Sequence, residues 1–156
     1  MSKLVSFIII ALLPFCSFAL TDSLQKAVQI ASEGNNVQSE RLKIAAENIA
    51  NENTTGELPG SDPYKRKIMF VENKYDKNRK TNLLRVKKYA EDKAPFVMVY
   101  DPAHPAADEN GYVKKPNIQM EIERSDANEA QRAYEANLGV VEMSRDMIQK
   151  TLDTIR

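Results

Sequence analysis

The sequence has no tryptophan, one cysteine, one histidine and five glycines in 156 residues. Each shortage excludes something. One cysteine cannot close a disulfide within its own chain. One histidine beside one cysteine rules out a Cys₂His₂ zinc set and any histidine-rich metal centre. No G-x-S-x-G nucleophile motif is present. Lys plus Arg and Asp plus Glu both number 22, so no overall charge excess draws the molecule to nucleic acid. The length is that of one domain. Proline is missing from Asn117 to the end, which leaves no obligatory helix breaker there.

What is present falls into four segments. Residues 1–19 open on Lys3, continue as an apolar run from Leu4 to Phe15, and close on Ser17-Phe18-Ala19. A charged start, a short apolar core and small residues at the cleavage positions are the pattern of a secretory signal peptide. The run is shorter than the roughly 20 residues of a membrane-spanning helix. Cys16 does not suit a lipid-attachment site, because bulky Phe15 precedes it.

From Ser23 to Ala50, Leu24, Val28, Ala31, Leu42, Ala45 and Ile49 keep steps of four and three, with Asn35 and Gln38 filling the register between. That spacing predicts a heptad seam on a helix of about 40 Å. Gly34 inside it costs about 1 kcal/mol relative to alanine. Residues 124–156 mirror the pattern. Ser125 or Asp126 is expected to cap a second helix, with Glu129 completing a capping box. Ala130, Tyr134, Leu138, Val141, Ile148, Leu152 and Ile155 then step by fours and threes, with Arg145 interrupting. Two helices of similar length at opposite ends are expected to pair antiparallel. Their seam is rich in alanine and amides, so the pair is expected to need a further molecule for its packing.

Between them, residues 57–123 read as a small β-rich insert, giving an α+β chain with a coiled-coil-like helical hairpin. Tyr64–Val71, Leu83–Val86 and Phe96–Tyr100 are expected strands, and Gly111–Val113 and Ile118–Ile122 shorter extended pieces. The segment 65–88 is strongly basic, and two readings attach to it. One is a solvated hairpin whose charge is answered by acids elsewhere. The other is a secreted module that binds a polyanion or the cell wall. His104 stands between prolines in "DPAHPAADENGY", where a shape-holding loop is favoured over catalysis because no second histidine or nucleophile accompanies it.

The stretch "ENIANENTTG", residues 47–56, halts the first helix with more amides than a cap needs. Asparagine takes a left-handed conformation at helix ends more readily than other non-glycine residues, and Gly56 lets the chain turn. The surplus, Asn48, Asn51 and Asn53, is available for a neighbouring chain.

These residues resemble a known family. "ENIANENTTG" is similar to the N-terminal signature of flagellar rod, hook and related axial proteins. "VYDPAHPAADENGYVKKPNI", residues 99–118, resembles the proximal-rod members of the basal-body rod proteins. "AQRAYEANLGVVEMSRDMIQKTLD", residues 130–153, resembles the C-terminal helix of the same group. The resemblance implies a non-enzymatic structural subunit of the periplasmic drive-shaft, without cofactor or small-molecule substrate. Its partners would be other rod proteins and the adaptor between membrane ring and rod, in helical homo- and hetero-assembly. It places subunit contacts at Leu42, Asn48, Ile49, Asn51, Asn53, Tyr134, Asn137, Val141 and Ile148. The leader departs from the family, whose rod proteins leave through the flagellar export apparatus. Either this chain reaches the periplasm by the general secretory route, or the start lies too early, or the protein serves another envelope task.

Overall fold

The structure, a computed structural model, describes the backbone of residues 2–155 and the side chains of residues 22–154. The expected signal segment, residues 1–19, and Ile155 of the expected second seam therefore fall outside the described side chains. Along the chain come α1 (Ser2–Ala50), β1 (Lys67–Asp76), β2 (Thr81–Glu91), β3 (Val97–Tyr100), β4 (Tyr112–Lys115) and α2 (Met120–Ile155). Two terminal helices pack together around two separate antiparallel hairpins, β1–β2 and β3–β4. The α+β reading holds.

Three contacts fix how the helices run. Gly34 lies against Asn137, Arg41 reaches Glu129 at 3.9 Å, and Asn48 bonds Glu123 at 3.0 Å. The α1 number climbs by sevens while the α2 number falls by eight and then six, so the helices are antiparallel. The seam keeps Ala31, Ala45, Ala130 and Val141 of the expected one and replaces others. Ala31, Gly34, Ala45 and Asn48 are buried on α1, and Ala130, Val141 and Ser144 on α2. Asn35, Leu42 and Ile49 sit on the seam's shoulder, half-buried, and Tyr134, Leu138 and Leu152 are exposed. Heptad spacing guided the expectation, whereas close approach of two backbones selects small residues. A β-carbon on Gly34 would stand 2.8 Å from the Asn137 amide nitrogen, so the glycine that costs helix propensity also lets the helices meet.

The second helix starts earlier than its expected cap. Gln119 C=O accepts from the Ile122 and Glu123 N–H groups, and the helix runs from Met120. Met120-Glu121-Ile122, expected as extended, is its first turn. Glu121 and Glu123 place negative charge there, where the free N–H groups favour it. Asp126 and Glu129 are thus interior positions on an exposed face rather than a capping box.

The β1–β2 hairpin lies along α1. Arg79 Nη1 donates to Glu33 at 2.6 Å, Tyr89 Oη to Glu40 at 3.1 Å and Lys67 Nζ to Glu47 at 2.9 Å. These glutamates recur every seventh residue, on one stripe of the helix. Val37 and half-buried Ile44 alternate with them, and fully buried Leu83 of β2 supplies the largest apolar side chain of the interior. Asp76 Oδ1 accepts the Asn78 and Arg79 N–H groups to shape the turn, and Lys80 takes a positive φ of 51°. Register shifts at Phe70/Val71, which leaves Lys87 as the extra residue of a bulge. The strand expected from Tyr64 begins instead at Lys67. The shorter β3–β4 hairpin carries an edge-on Tyr100–Tyr112 pair, centroids 5.3 Å apart, and packs on the 58–63 loop through Gly60 N–H to Ala106 C=O and Lys114 to Asp62.

Candidate functional site

No group of three or more His, Cys, Asp or Glu among the described residues is arranged to hold a metal ion. The His104 Nδ1 accepts the Ala106 N–H at 3.1 Å, so the imidazole staples its own loop. The features that set this molecule apart are a buried polar junction at the end of α1 and a long exposed apolar face on α2.

The junction is centred on Asn48, 1% exposed. Its Nδ2 donates to Lys67 C=O at 2.9 Å and to Glu123 Oε2 at 3.0 Å. Its Oδ1 accepts from Lys67 N–H at 2.8 Å and from Tyr64 Oη at 3.1 Å. The amide thus makes all four of its hydrogen bonds. Two of them copy the pairing that a neighbouring strand would offer Lys67, so Asn48 acts as one rung of sheet at the base of β1. Glu123, 2% exposed, accepts Arg66 Nε at 2.6 Å through its other oxygen, and Arg66 also reaches Asp92 at 3.4 Å. A buried carboxylate is tolerable only with such partners. Burial raises the Tyr64 hydroxyl above its ordinary pKa, keeping it a neutral donor. Helix α1, hairpin β1–β2 and the first turn of α2 are tied together at this one amide.

The rest of the asparagine run divides its work. Asn51 Nδ2 donates to Glu47 C=O at 2.7 Å, and its Oδ1 accepts from Thr54 Oγ1, which caps the helix by side chain. No left-handed asparagine is used. Among the described residues the non-glycine with positive φ is Lys80 of the β1–β2 turn; at the end of α1 the backbone N–H of Asn51 instead bonds Glu47 and Asn48 C=O in a tightening last turn. Asn53 is exposed. Gly56 lies in irregular chain, the turn with a positive φ comes at Gly60, and a side chain at Gly56 would strike Ser61.

The structure brings Asn48 into the chain's own interior and sets Val141 and Asn137 in or beside the seam, with Ile148, Leu42 and Ile49 half-buried around it. Tyr134 is 37% exposed. The sequence reading gave no contact role to Glu123, Arg66, Tyr64 or Gly34. It also passed over the exposed steps Ala136, Val140, Met143 and Met147, spaced four, three and four along α2. Methionine at i and i+4 was the signal that could have found them.

The basic segment is largely answered from within. Arg66 pairs with Glu123 and Asp92, Lys67 with Glu47, Arg79 with Glu33, Arg85 with Asp76, and Lys65 with Glu91. Lys88 sits over the Phe70 ring at 4.8 Å. This favours the solvated-hairpin reading over a polyanion site.

A long antiparallel helical pair brackets two small hairpins, with a buried polar junction at one end and exposed apolar residues on the second helix. A family profile described as flagella basal body rod protein matches residues 29–56, and one described as flagellar basal body rod FlgEFG protein C-terminal matches residues 109–154. The chain is 45% identical over 135 residues to the flagellar basal-body rod protein FlgC of Agrobacterium fabrum, covering 86% of this chain and 97% of that one. It is 37% identical over 124 residues to FlgC of Salmonella typhimurium, covering 79% and 91%, and 34% identical over 131 residues to FlgC of Yersinia enterocolitica, covering 83% and 96%. The class is therefore that of the flagellar basal-body rod proteins. Within it, the chain belongs to the FlgC family.

Proposed function

We propose that this chain is a structural, non-enzymatic subunit of the proximal rod in the flagellar basal body, and that it works in the periplasm. The observation that carries this reading is a mismatch between core and surface. Among the described residues, the largest fully buried side chains are Leu83, Glu123, Val113 and Asn48, two of them polar. Meanwhile Val140, Met143 and Met147 stand exposed on one stripe of α2. A monomer rarely leaves such a face open unless something covers it. Rod assembly is the cover that family membership supplies.

On this reading α1 and α2 form a coiled-coil-like hairpin whose flanks meet neighbours. Leu42, Ile49, Tyr134, Asn137, Val141 and Ile148 line or border the flanks, and Asn51 and Asn53 meet the next subunit at the hairpin's end. Asn48 contributes by holding that end in shape. The partners are other rod proteins and the adaptor to the membrane ring. The leader, residues 1–19, is removed after Ala19, and N-terminal sequencing of protein purified from the periplasm should begin at Leu20.

The test is genetic and structural. Deleting the gene should abolish motility and leave basal bodies without rods, and the full-length gene should restore both. A version truncated after Asn128, which lacks most of α2, should restore neither. Motile cells with intact rods after deletion would end this reading.

A further inference from the structure

We infer that Met143 and Met147 form an oxidation-sensitive site on α2. Sulfoxides at these two positions stop the subunit from joining the rod, and their reduction restores it. The inference rests on the rod-subunit reading and adds a chemical control to it.

The chain has six methionines, and Met1 lies outside the described side chains. Met69 and Met120 are half-buried. Met143 and Met147 are 58% and 51% exposed. Four residues apart, they stand one above the other on the stripe that also carries Ala136 and Val140. The seam with α1 is made elsewhere on the helix, by Ala130, Val141 and Ser144, which are buried. The two thioethers are therefore open to a dissolved oxidant, and changing them leaves the helix pair alone. Met98 is exposed as well, but on β3, away from this stripe.

The oxidant is a hydroperoxide. A sulfur lone pair attacks one peroxide oxygen, the O–O bond breaks, and the other oxygen leaves as water once it has taken the transferred proton. Sulfur loses two electrons and the peroxide gains them. The product is a sulfoxide, polar where the thioether was apolar. The return step is that of a methionine sulfoxide reductase: two thiols supply two electrons and two protons, and a disulfide and water are released. In the free subunit the new oxygen faces water and costs little. Beneath a neighbouring subunit it would be a polar atom taken out of water into an apolar contact, which is unfavourable unless a donor meets it. Oxidation thus spares the fold and blocks the contact. It acts on subunits awaiting assembly, in a compartment without the reducing thiol pool of the cytosol, and leaves finished rods intact because their stripe is covered.

Hydrogen peroxide is the probe. The purified full chain and isolated basal bodies are treated with it, and oxygen uptake at each methionine is read by peptide mass spectrometry. In the free subunit Met143 and Met147 should oxidise several-fold faster than Met69 and Met120, with circular dichroism unchanged. In basal bodies both should be spared. Equal rates at all four in the subunit, or equal oxidation of Met143 and Met147 in subunit and rod, would overturn the inference. In cells whose own gene is deleted, Met143→Gln with Met147→Gln puts a polar amide where each sulfoxide would stand, and should lose swarming and rods. Met143→Leu with Met147→Leu conserves apolar volume and should keep both. The leucine pair should also go on building rods in sublethal peroxide that stops the parent chain, with Met98 still in place. Normal rods in the glutamine pair, no rods in the leucine pair without peroxide, or no difference between leucine pair and parent in peroxide would each overturn the inference. If the glutamine pair misfolds, the leucine pair decides alone. Failure of the rod reading shows separately, as intact rods in the deletion strain.

Discussion

Asn48 and Glu123 are 75 residues apart in sequence and meet through a buried hydrogen bond of 3.0 Å. That bond joins the last turn of one helix to the first turn of the other, and Asn48 also holds the first backbone rung of β1. Replacing Asn48 by Ala strands Lys67 N–H and C=O and leaves Glu123 with Arg66 as its remaining partner. The expected loss is roughly 2–4 kcal/mol, read as a lower urea midpoint. In a double-mutant cycle with Glu123→Gln, the two losses should be clearly non-additive, because both residues belong to one network. Additive losses would mean that the bond carries no weight.

Gly34 and Asn137 supply a second test. Alanine at position 34 gains about 1 kcal/mol of helix propensity. Its β-carbon would also stand 2.8 Å from Asn137 Nδ2, so the amide must move. Gly34→Ala should therefore be neutral or destabilising in the parent chain. In an Asn137→Ala background the same change should raise stability by about 1 kcal/mol. Thermal melts of the four variants decide this, and a gain of equal size in both backgrounds would contradict the close approach.

Acid should loosen the hairpin from α1. Hydrogen bonding from Arg79 holds the Glu33 carboxyl below its ordinary value of 4.5, and Lys67 does the same for Glu47. A carboxyl whose pKa is lower in the folded state adds stability above its unfolded pKa, and that stability is lost as pH falls through the folded value. Unfolding midpoints should accordingly hold steady above pH 5 and fall below about 4.5. Glu33→Gln should lower stability at neutral pH and flatten the acid slope. Both carboxylates are solvent-accessible, so the effect should shrink in high salt.

The stop at the end of α1 separates capping from assembly. Asn51 caps through Glu47 C=O, so Asn51→Ala with Asn53→Ala should cost about 1 kcal/mol in the isolated chain. If these amides also meet a neighbour, rods should fail while circular dichroism stays unchanged. Rods that form normally would confine both residues to the cap.

Much of the fold could be read from the sequence, and its errors have physical causes. The terminal helices were legible because their apolar spacing runs for many turns without a proline. The antiparallel pairing followed from their lengths. On α1 the expected Ala31 and Ala45 are buried in the seam, but Gly34 and Asn48 are buried beside half-buried Asn35 and Ile49, because small residues win at close approach. The early start of α2 was missed because Glu123 looks like a surface residue until Arg66 and Asn48 are known to meet it. Glu33, Glu40 and Glu47 were a visible heptad, yet a glutamate stripe ordinarily marks solvent, and only the hairpin's position gives it meaning. The asparagine run drew attention for the right reason, an excess over capping need. The part of that excess that Asn48 supplies is spent inside the chain.

The exposed apolar stripe of α2 is expected to be open in the free subunit and covered in the rod. Thiol labelling measures it directly. A single cysteine at Met143, 58% exposed, is introduced into a chain with Cys16→Ala, and its reaction with a maleimide is followed in the purified subunit and in isolated basal bodies. The free subunit should label rapidly and the rod should protect the site strongly, with protection lost when the rod is dissociated. Equal labelling in both would contradict it.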